Sequence, residues 1–305
     1  MSSFLGGIMS ETKFAQANNI RIAYQSMGSE EDPVIVLVAG LYNQLIRWPD
    51  AFCDSLVSRG YRVIRFDNRD VGLSDKMNGQ RAPSFFRIAL KSLLGIPVKT
   101  PYTLNDMADD TVGLMDALGI ESAHIVGMSM GGMISQIVAG HYSHRVLSLT
   151  SIMSTTGALG VGQASPAVAK QMVKPIPEGV SALQNSVNTR QMFASPAYPQ
   201  TDEEIAAEVQ QEFERCNYPA GYLRQMAAAR ISPNRKKLLQ TIKVPTLIIH
   251  GNQDTLVNVS GGIETARHIP HAKLVRFEGM GHTLPAALLE TFVDLIDETA
   301  RQAET

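Results

Sequence analysis

With 305 residues, 44% hydrophobic and 18% charged, the chain has enough apolar material for one large α/β domain, or for one domain carrying an insertion. A formal net charge of −2 gives no support for nucleic-acid binding, which needs a concentrated basic surface. Its two cysteines, Cys53 and Cys216, have neither a metal-ligand nor a redox spacing and read as reduced thiols of a cytoplasmic protein.

Residues 1–8 lack a basic n-region and a long apolar h-region, so they are expected to form a short loose tail and not a signal peptide. Residues 13–17 and 20–26 alternate and are joined by Asn18-Asn19, which predicts a hairpin. The run 34–38 is aliphatic throughout, as in a strand buried on both faces of a parallel sheet. Residues 62–66, 123–126, 147–153, 246–249 and 274–277 repeat that pattern. Helix-length stretches lie between them at 49–59, 104–118, 131–142, 263–268 and 284–301. Strands alternating with helices predict βαβ units and a mostly parallel central sheet flanked by helices. No apolar run is long enough to span a bilayer.

Two stretches break the alternation. Within 81–101, the run from Phe85 to Leu94 places apolar residues at helical spacing, with Arg87 and Lys91 on another face. A helix packed against an inserted segment is the expectation, with a membrane-surface helix as the alternative. From 155 to 243 no buried-strand pattern occurs, and polar helix-length segments such as 202–215 appear instead. A loop that long without structure of its own would be unusual, so a helical cap inserted between two strands is expected. The division is then a core of 1–154 and 244–305 and a cap of 155–243.

The most informative run is Gly127-Met128-Ser129-Met130-Gly131, which follows a strand-like stretch and opens a helix-compatible one. That layout is a nucleophile elbow: a serine on a sharp strand-to-helix turn, flanked by residues small enough to let the turn close. A serine hydroxyl is a poor nucleophile at neutral pH and needs a base, which in turn needs an orienting acid. Asp254 and His282 each follow a later strand, on loops at strand carboxyl ends, the edge where open α/β sheets bind ligands. Ser129, Asp254 and His282 are therefore the candidate catalytic residues.

Across nearly its whole length the chain resembles the α/β-hydrolase superfamily. The resemblance rests on Val38-Ala39-Gly40-Leu41, the turn from Asp67 to Ser74, the elbow 127–132, His250-Gly251-x-x-Asp254 and Gly281-His282. Within the superfamily it is similar to capped carboxylesterases and aclacinomycin methylesterase-like proteins. The resemblance implies an oxyanion hole made by the backbone N–H groups of Leu41 and Met130. Many relatives carry His-Gly where this chain has Ala39-Gly40, so a side chain that often braces that loop is missing. The implied activity is hydrolysis of a small-molecule carboxylic ester through an acyl-enzyme, with neither cofactor nor metal. Thioesterase, lactonase, carbon–carbon hydrolase and perhydrolase reactions stay open, as does a ligand-sensing protein that keeps an intact triad. A homodimer is compatible with the sequence.

Other polar residues read as scaffolding. Asp67 and Arg69 are expected as a structural pair within their turn. Asp106, Asp109 and Asp110 sit near a helix start, where acidic groups meet the positive dipole end. His124 and His250 read as structural hydrogen-bonding residues, and His141, His144, His268 and His271 as surface or helix-end residues. Methionines near the elbow, among them Met128, Met130, Met133, Met153 and Met280, suit an adaptable apolar pocket or ordinary core filling.

Overall fold

Asn18 and Asn19 take φ values of 46° and 63°, the left-handed pair that a tight two-residue hairpin turn requires. They fold β1 (Lys13–Ala17) onto β2 (Ile20–Met27). The computed structural model describes residues 11–94, 96–172 and 174–303, so the tail expected at 1–8 lies outside the described residues. Beyond the hairpin come β3 (Val34–Val38), α1 (Asp50–Ser58), β4 (Arg62–Phe66), α2 (Phe85–Leu93), α3 (Leu104–Ala117), β5 (Ala123–Met128), α4 (Met130–His141) and β6 (Val146–Ile152). Among the described residues five helices then follow without an intervening strand: α5 (Pro166–Met172), α6 (Ala182–Gln191), α7 (Asp202–Arg215), α8 (Pro219–Ile231) and α9 (Lys236–Leu239). The chain returns to the sheet with β7 (Thr246–Gly251), α10 (Ser260–His268), β8 (Lys273–Phe277) and α11 (Leu289–Arg301).

The eight strands form one sheet in the order β1-β2-β4-β3-β5-β6-β7-β8. β2 pairs antiparallel with β1 and β4, and every other pairing is parallel. From β3 the chain moves to one side of the sheet and from β5 to the other. The carboxyl ends of β3 and β5 therefore flank a topological switch point, where such sheets open a crevice.

The all-aliphatic β3 is buried because both its faces are covered, whereas β8, expected to repeat its pattern, ends the sheet and is exposed or half-buried along its length. Ile35 and Leu37 face Phe52 and Leu56 of α1 and Phe292 and Ile296 of α11. Val34, Val36 and Val38 alternate to the other face, where Leu104 and Met107 of α3 and Ile134 and Val138 of α4 complete the layer. Between α6 and α7 a small separate cluster forms from Val187, Ile205 and Val209. Thr201 and Glu204 cap the start of α7 reciprocally, which explains why so polar a segment is helical. The short α9 packs on α4 and α10.

Boundaries shift where glycines continue strand pairing. β5 runs past 126 because Gly127 and Met128 still pair with Ser151 and Ile152, and β7 runs past 249 to Gly251, opposite Phe277. The stretch expected as one helix from 284 opens as a short 3₁₀ turn, Ala286–Leu288, after Pro285.

His124 is 1% exposed, with Nδ1 2.9 Å from Ser148 Oγ and its ring edge-on to Tyr61. Burial lowers its pKa from 6.5 to about 4. The folded chain thus holds the imidazole neutral while the unfolded chain takes up a proton as pH falls below the ordinary histidine range. Stability should fall by up to about 3 kcal/mol between roughly pH 6.5 and 4 on this account. His124→Asn should flatten that part of the profile, as measured by urea unfolding at stepped pH. Parallel profiles for the two proteins would refute the assignment.

Candidate active site

Ser129 sits between β5 and α4 with φ 54° and ψ −121°, a conformation that costs a non-glycine residue about 1–3 kcal/mol. Hydrogen bonds to its peptide groups hold it there, one of them from the N–H of Met133 to its carbonyl at 3.2 Å. Its N–H donates to Ile152 O at 2.8 Å, and its carbonyl accepts from Ser154 Oγ at 2.8 Å. The turn can be this sharp only because its neighbours are small. A Cβ on Gly131 would lie 2.0 Å from Val38 O, and one on Gly127 would lie 2.3 Å from Gly131 O.

The N–H of Met130 opens α4 and that of Leu41 follows β3; neither has a hydrogen-bond partner among the described residues. Both lie on the loops that flank the switch point. Gly40, beside Leu41, approaches the elbow so closely that a Cβ there would be 3.3 Å from Ser129 Cβ.

The loops after β7 and β8 bring the other two candidates to the serine. His282 Nε2 is 2.9 Å from Ser129 Oγ, and His282 Nδ1 is 2.6 Å from Asp254 Oδ2. Asp254 Oδ1 accepts the N–H groups of Leu256 and Val257 at 2.9 and 2.8 Å, so its carboxylate is fixed at both oxygens. Burial pushes the Asp254 pKa upward, but the His282 charge and hydrogen bonds from His250 and His282 outweigh it and leave the group below the ordinary carboxylate range. The three residues form one continuous hydrogen-bonded line at the carboxyl edge of the sheet.

His250 takes part in a way its spacing did not disclose. Its Nε2 is 2.7 Å from Val257 O and 3.4 Å from Asp254 Oδ2, so this fully buried ring lies against the acid as well as its loop. His282 is braced from the inserted segment: its N–H donates to Phe193 O at 2.8 Å, and the Phe193 ring stands edge-on to the imidazole. Ser195 Oγ accepts the N–H of Gly281 at 2.9 Å.

The expected pair of Asp67 with Arg69 is not made. Asp67 accepts the N–H groups of Leu45 and Leu73 and binds Arg215 of α7 at 2.8 Å, while Arg69 binds Asp110 of α3 through two 2.6 Å contacts. Asp110 therefore serves a buried ion pair, and Asp109 accepts from the Tyr142 hydroxyl; of the three acids only Asp106 completes a helix cap, with Thr103. Two further residues were missed altogether. Arg224 of α8 forks onto Asp70 at 2.7 and 2.8 Å, both side chains being buried. Gln225, fully buried, accepts the N–H of Tyr42 at 2.7 Å and donates to Arg69 O at 2.8 Å.

A cleft of about 420 Å³ reaches the base loop at Thr283 and Leu284 but not Ser129. Arg47, Arg65 and Arg215 face Asp50, Glu208 and Glu212 across it, and these charges pair with one another or with nearby groups. Among the described residues no group of three or more His, Cys, Asp or Glu could hold a metal ion, and no helix is long and apolar enough to cross a membrane.

A serine on a strained elbow, facing an imidazole and a carboxylate from later strands of a mostly parallel sheet, is the arrangement of an α/β-fold hydrolase. The chain belongs to the alpha/beta hydrolase fold family, whose model matches residues 33–285. It is 27% identical over 316 residues to the rhodomycin D methylesterase of Streptomyces peucetius, with 96% of this chain and 99% of that protein covered. It is 25% identical over 260 residues to 3-oxoadipate enol-lactonase 2 of Acinetobacter baylyi, covering 85% of each. Its fold matches that of a meta-cleavage product hydrolase from Pseudomonas fluorescens, with a TM-score of 0.74 at 24% identity, over 95% of this chain and 98% of that one. Hydrolase chemistry on this fold is thus the assignment the chain carries.

Removing one side of the buried Asp70–Arg224 pair should be costly, because it strands a charge away from water. Arg224→Met should lower unfolding stability by about 3–5 kcal/mol, with part recovered when Asp70→Asn is added. Chemical denaturation of Arg224→Met, Asp70→Asn and the double variant checks this, and a double variant less stable than Arg224→Met would contradict it.

Proposed function

We propose that the chain is a serine hydrolase of small-molecule carboxylic esters, acting through an acyl-enzyme. The observation that carries this reading is the line Ser129 Oγ to His282 Nε2 at 2.9 Å and His282 Nδ1 to Asp254 Oδ2 at 2.6 Å, set on a strained elbow. In this mechanism Ser129 Oγ attacks the ester carbonyl while His282 Nε2 takes the hydroxyl proton. Asp254 holds the imidazole in the tautomer that leaves Nε2 free, and stabilises the imidazolium. The carbonyl oxygen becomes an oxyanion bonded to the N–H groups of Leu41 and Met130. His282 then returns the proton to the leaving alcohol. A water, deprotonated by the same nitrogen, attacks the acyl-enzyme; the tetrahedral intermediate collapses to the acid as the Ser129 Oγ bond breaks, and His282 hands the proton to that oxygen.

Ester cleavage is favoured within the hydrolases because the methylesterase relative aligns along almost the full length of both chains. Residues 155–243 would form the cap over a core of 1–154 and 244–305. Contacts of Phe193 and Ser195 with the base loop, and of Gln225 with Tyr42, support that role for the segment.

Turnover of a panel of methyl and p-nitrophenyl esters, beside an enol-lactone, tests the substrate class; hydrolysis of the lactone alone would overturn it. Ser129→Ala should drop kcat by roughly 10⁴-fold or more with folding intact, His282→Ala about as much, and Asp254→Asn somewhat less. Near-normal activity in folded Ser129→Ala would end the assignment.

Gln225 is expected to act as a positioning residue for the Leu41 donor. Losing an oxyanion donor outright costs about 10²–10³-fold, so Gln225→Ala, which only loosens the loop, should lower kcat roughly tenfold to a hundredfold with little change in KM. A rise in KM at constant kcat would count against it.

A further inference from the structure

Helix α2 packs against α8, and Ile88 is buried, yet Phe86 and Leu90 face outward. Phe86, Leu90 and Leu94 follow one another at four-residue spacing and are 75%, 45% and 60% exposed. Ile96, just beyond the helix, and Leu223 of α8 are exposed as well. Large aliphatic and aromatic side chains gathered on two touching helices mark an interaction surface.

The charge around this surface is one-sided. Between Asp75 and Asp106 the chain has no Asp or Glu but carries Lys76, Arg81, Arg87, Lys91 and Lys99. Lys76 is committed to the backbone carbonyls of Val71, Gly72 and Ser74; Lys91 reaches Pro97 O at 3.5 Å, and Arg81, Arg87 and Lys99 are exposed. Helix α8 contains no acidic residue either. In a chain whose net charge is −2, this cationic excess is local.

We propose that α2, with the outer side of α8, is a docking surface for an anionic lipid bilayer. Phe86, Leu90 and Leu94 would enter the acyl boundary, while Arg81, Arg87, Lys91 and Lys99 meet headgroup phosphates. A second copy docking through the same patch would oppose cations with cations, which disfavours a symmetric dimer there. An apolar protein groove would satisfy the stripe but not its basic flank. Docking in this orientation sets against the bilayer the helix whose opposite side holds Tyr42 through Gln225. The surface does not depend on the catalytic reading.

Co-sedimentation of the full chain with phosphatidylcholine vesicles, with and without phosphatidylglycerol, tests the proposal. Retention should require the anionic lipid and weaken with salt. Arg87→Gln/Lys91→Gln should reduce partitioning roughly 25-fold, at roughly fivefold per cation. Phe86→Ser/Leu90→Ser should abolish it, while both variants melt like the unmodified chain and keep its turnover of a water-soluble ester. Equal behaviour with neutral and anionic vesicles, or binding unchanged in both variants, would overturn the proposal. Self-association lost in Phe86→Ser/Leu90→Ser, without vesicle binding by the unmodified chain, would instead assign the patch to a second copy.

Discussion

The close approach of the first turn of α4 to the end of β3 is the constraint on which the site depends. At Gly131 the helix backbone passes so near the carbonyls of Val38 and Ala39 that no side chain fits between them. That contact fixes how sharply the chain turns after β5, and so fixes the strained φ of Ser129 and the direction of the Met130 N–H. It also brings the loop after β3 beside the elbow, since Gly40 meets Ser129 at the same place. The strain of one residue is offset by hydrogen bonds to Ile152 and Ser154 from the neighbouring strand and its loop.

The loops at this edge are held from the inserted segment by buried polar contacts, not by apolar packing alone. Asp70–Arg224, Asp67–Arg215 and the two bonds of Gln225 tie α7 and α8 to the turn after β4 and the loop after β3. Phe193 and Ser195 tie the stretch before α7 to the loop carrying His282. Buried ion pairs contribute little net stability once desolvation is counted, but they penalise every arrangement that leaves a charge unpaired. Their effect here is positional. They allow one seating of α8 on the core, where an apolar interface would tolerate sliding.

Much of this was legible in the sequence because the signals were local. An aliphatic run of five residues needs two covered faces, so β3 was bounded correctly from Val34–Val38. Ser129, Asp254 and His282 each follow a strand, and parallel strands deliver their loops to one edge, so their meeting followed from order alone. The partners of Asp67, Asp70 and Asp110 were not legible. Asp70 and Arg224 are 154 residues apart, and nothing in the composition of either segment selects the other. The available signal was indirect: three charged residues, Asp67, Arg69 and Asp70, crowd a turn too short to pair them all internally. Gln225 had no signal, because an amide in a helix of mixed polarity looks like any surface glutamine.

Helix α8 shows why such a residue matters more than its chemistry suggests. Consecutive residues on a helix point about 100° apart, so Leu223 faces outward while Arg224 and Gln225 turn to the core. One rigid element thereby touches α2 and solvent on one side, and Asp70 and Tyr42 on the other. Tyr42 is itself held at a φ of 57°, and its hydroxyl accepts the N–H of Tyr218 at the start of the same helix. Helix α8 therefore grips the loop after β3 at backbone and side chain, while α7 holds it through Gln44 and the turn after β4 holds it through Ala39 and Leu45. The geometry of the loop thus follows the seating of a helix that lies outside the sheet as well as the turn after β4, whose Asn68 donates to Ala39 O at 3.1 Å.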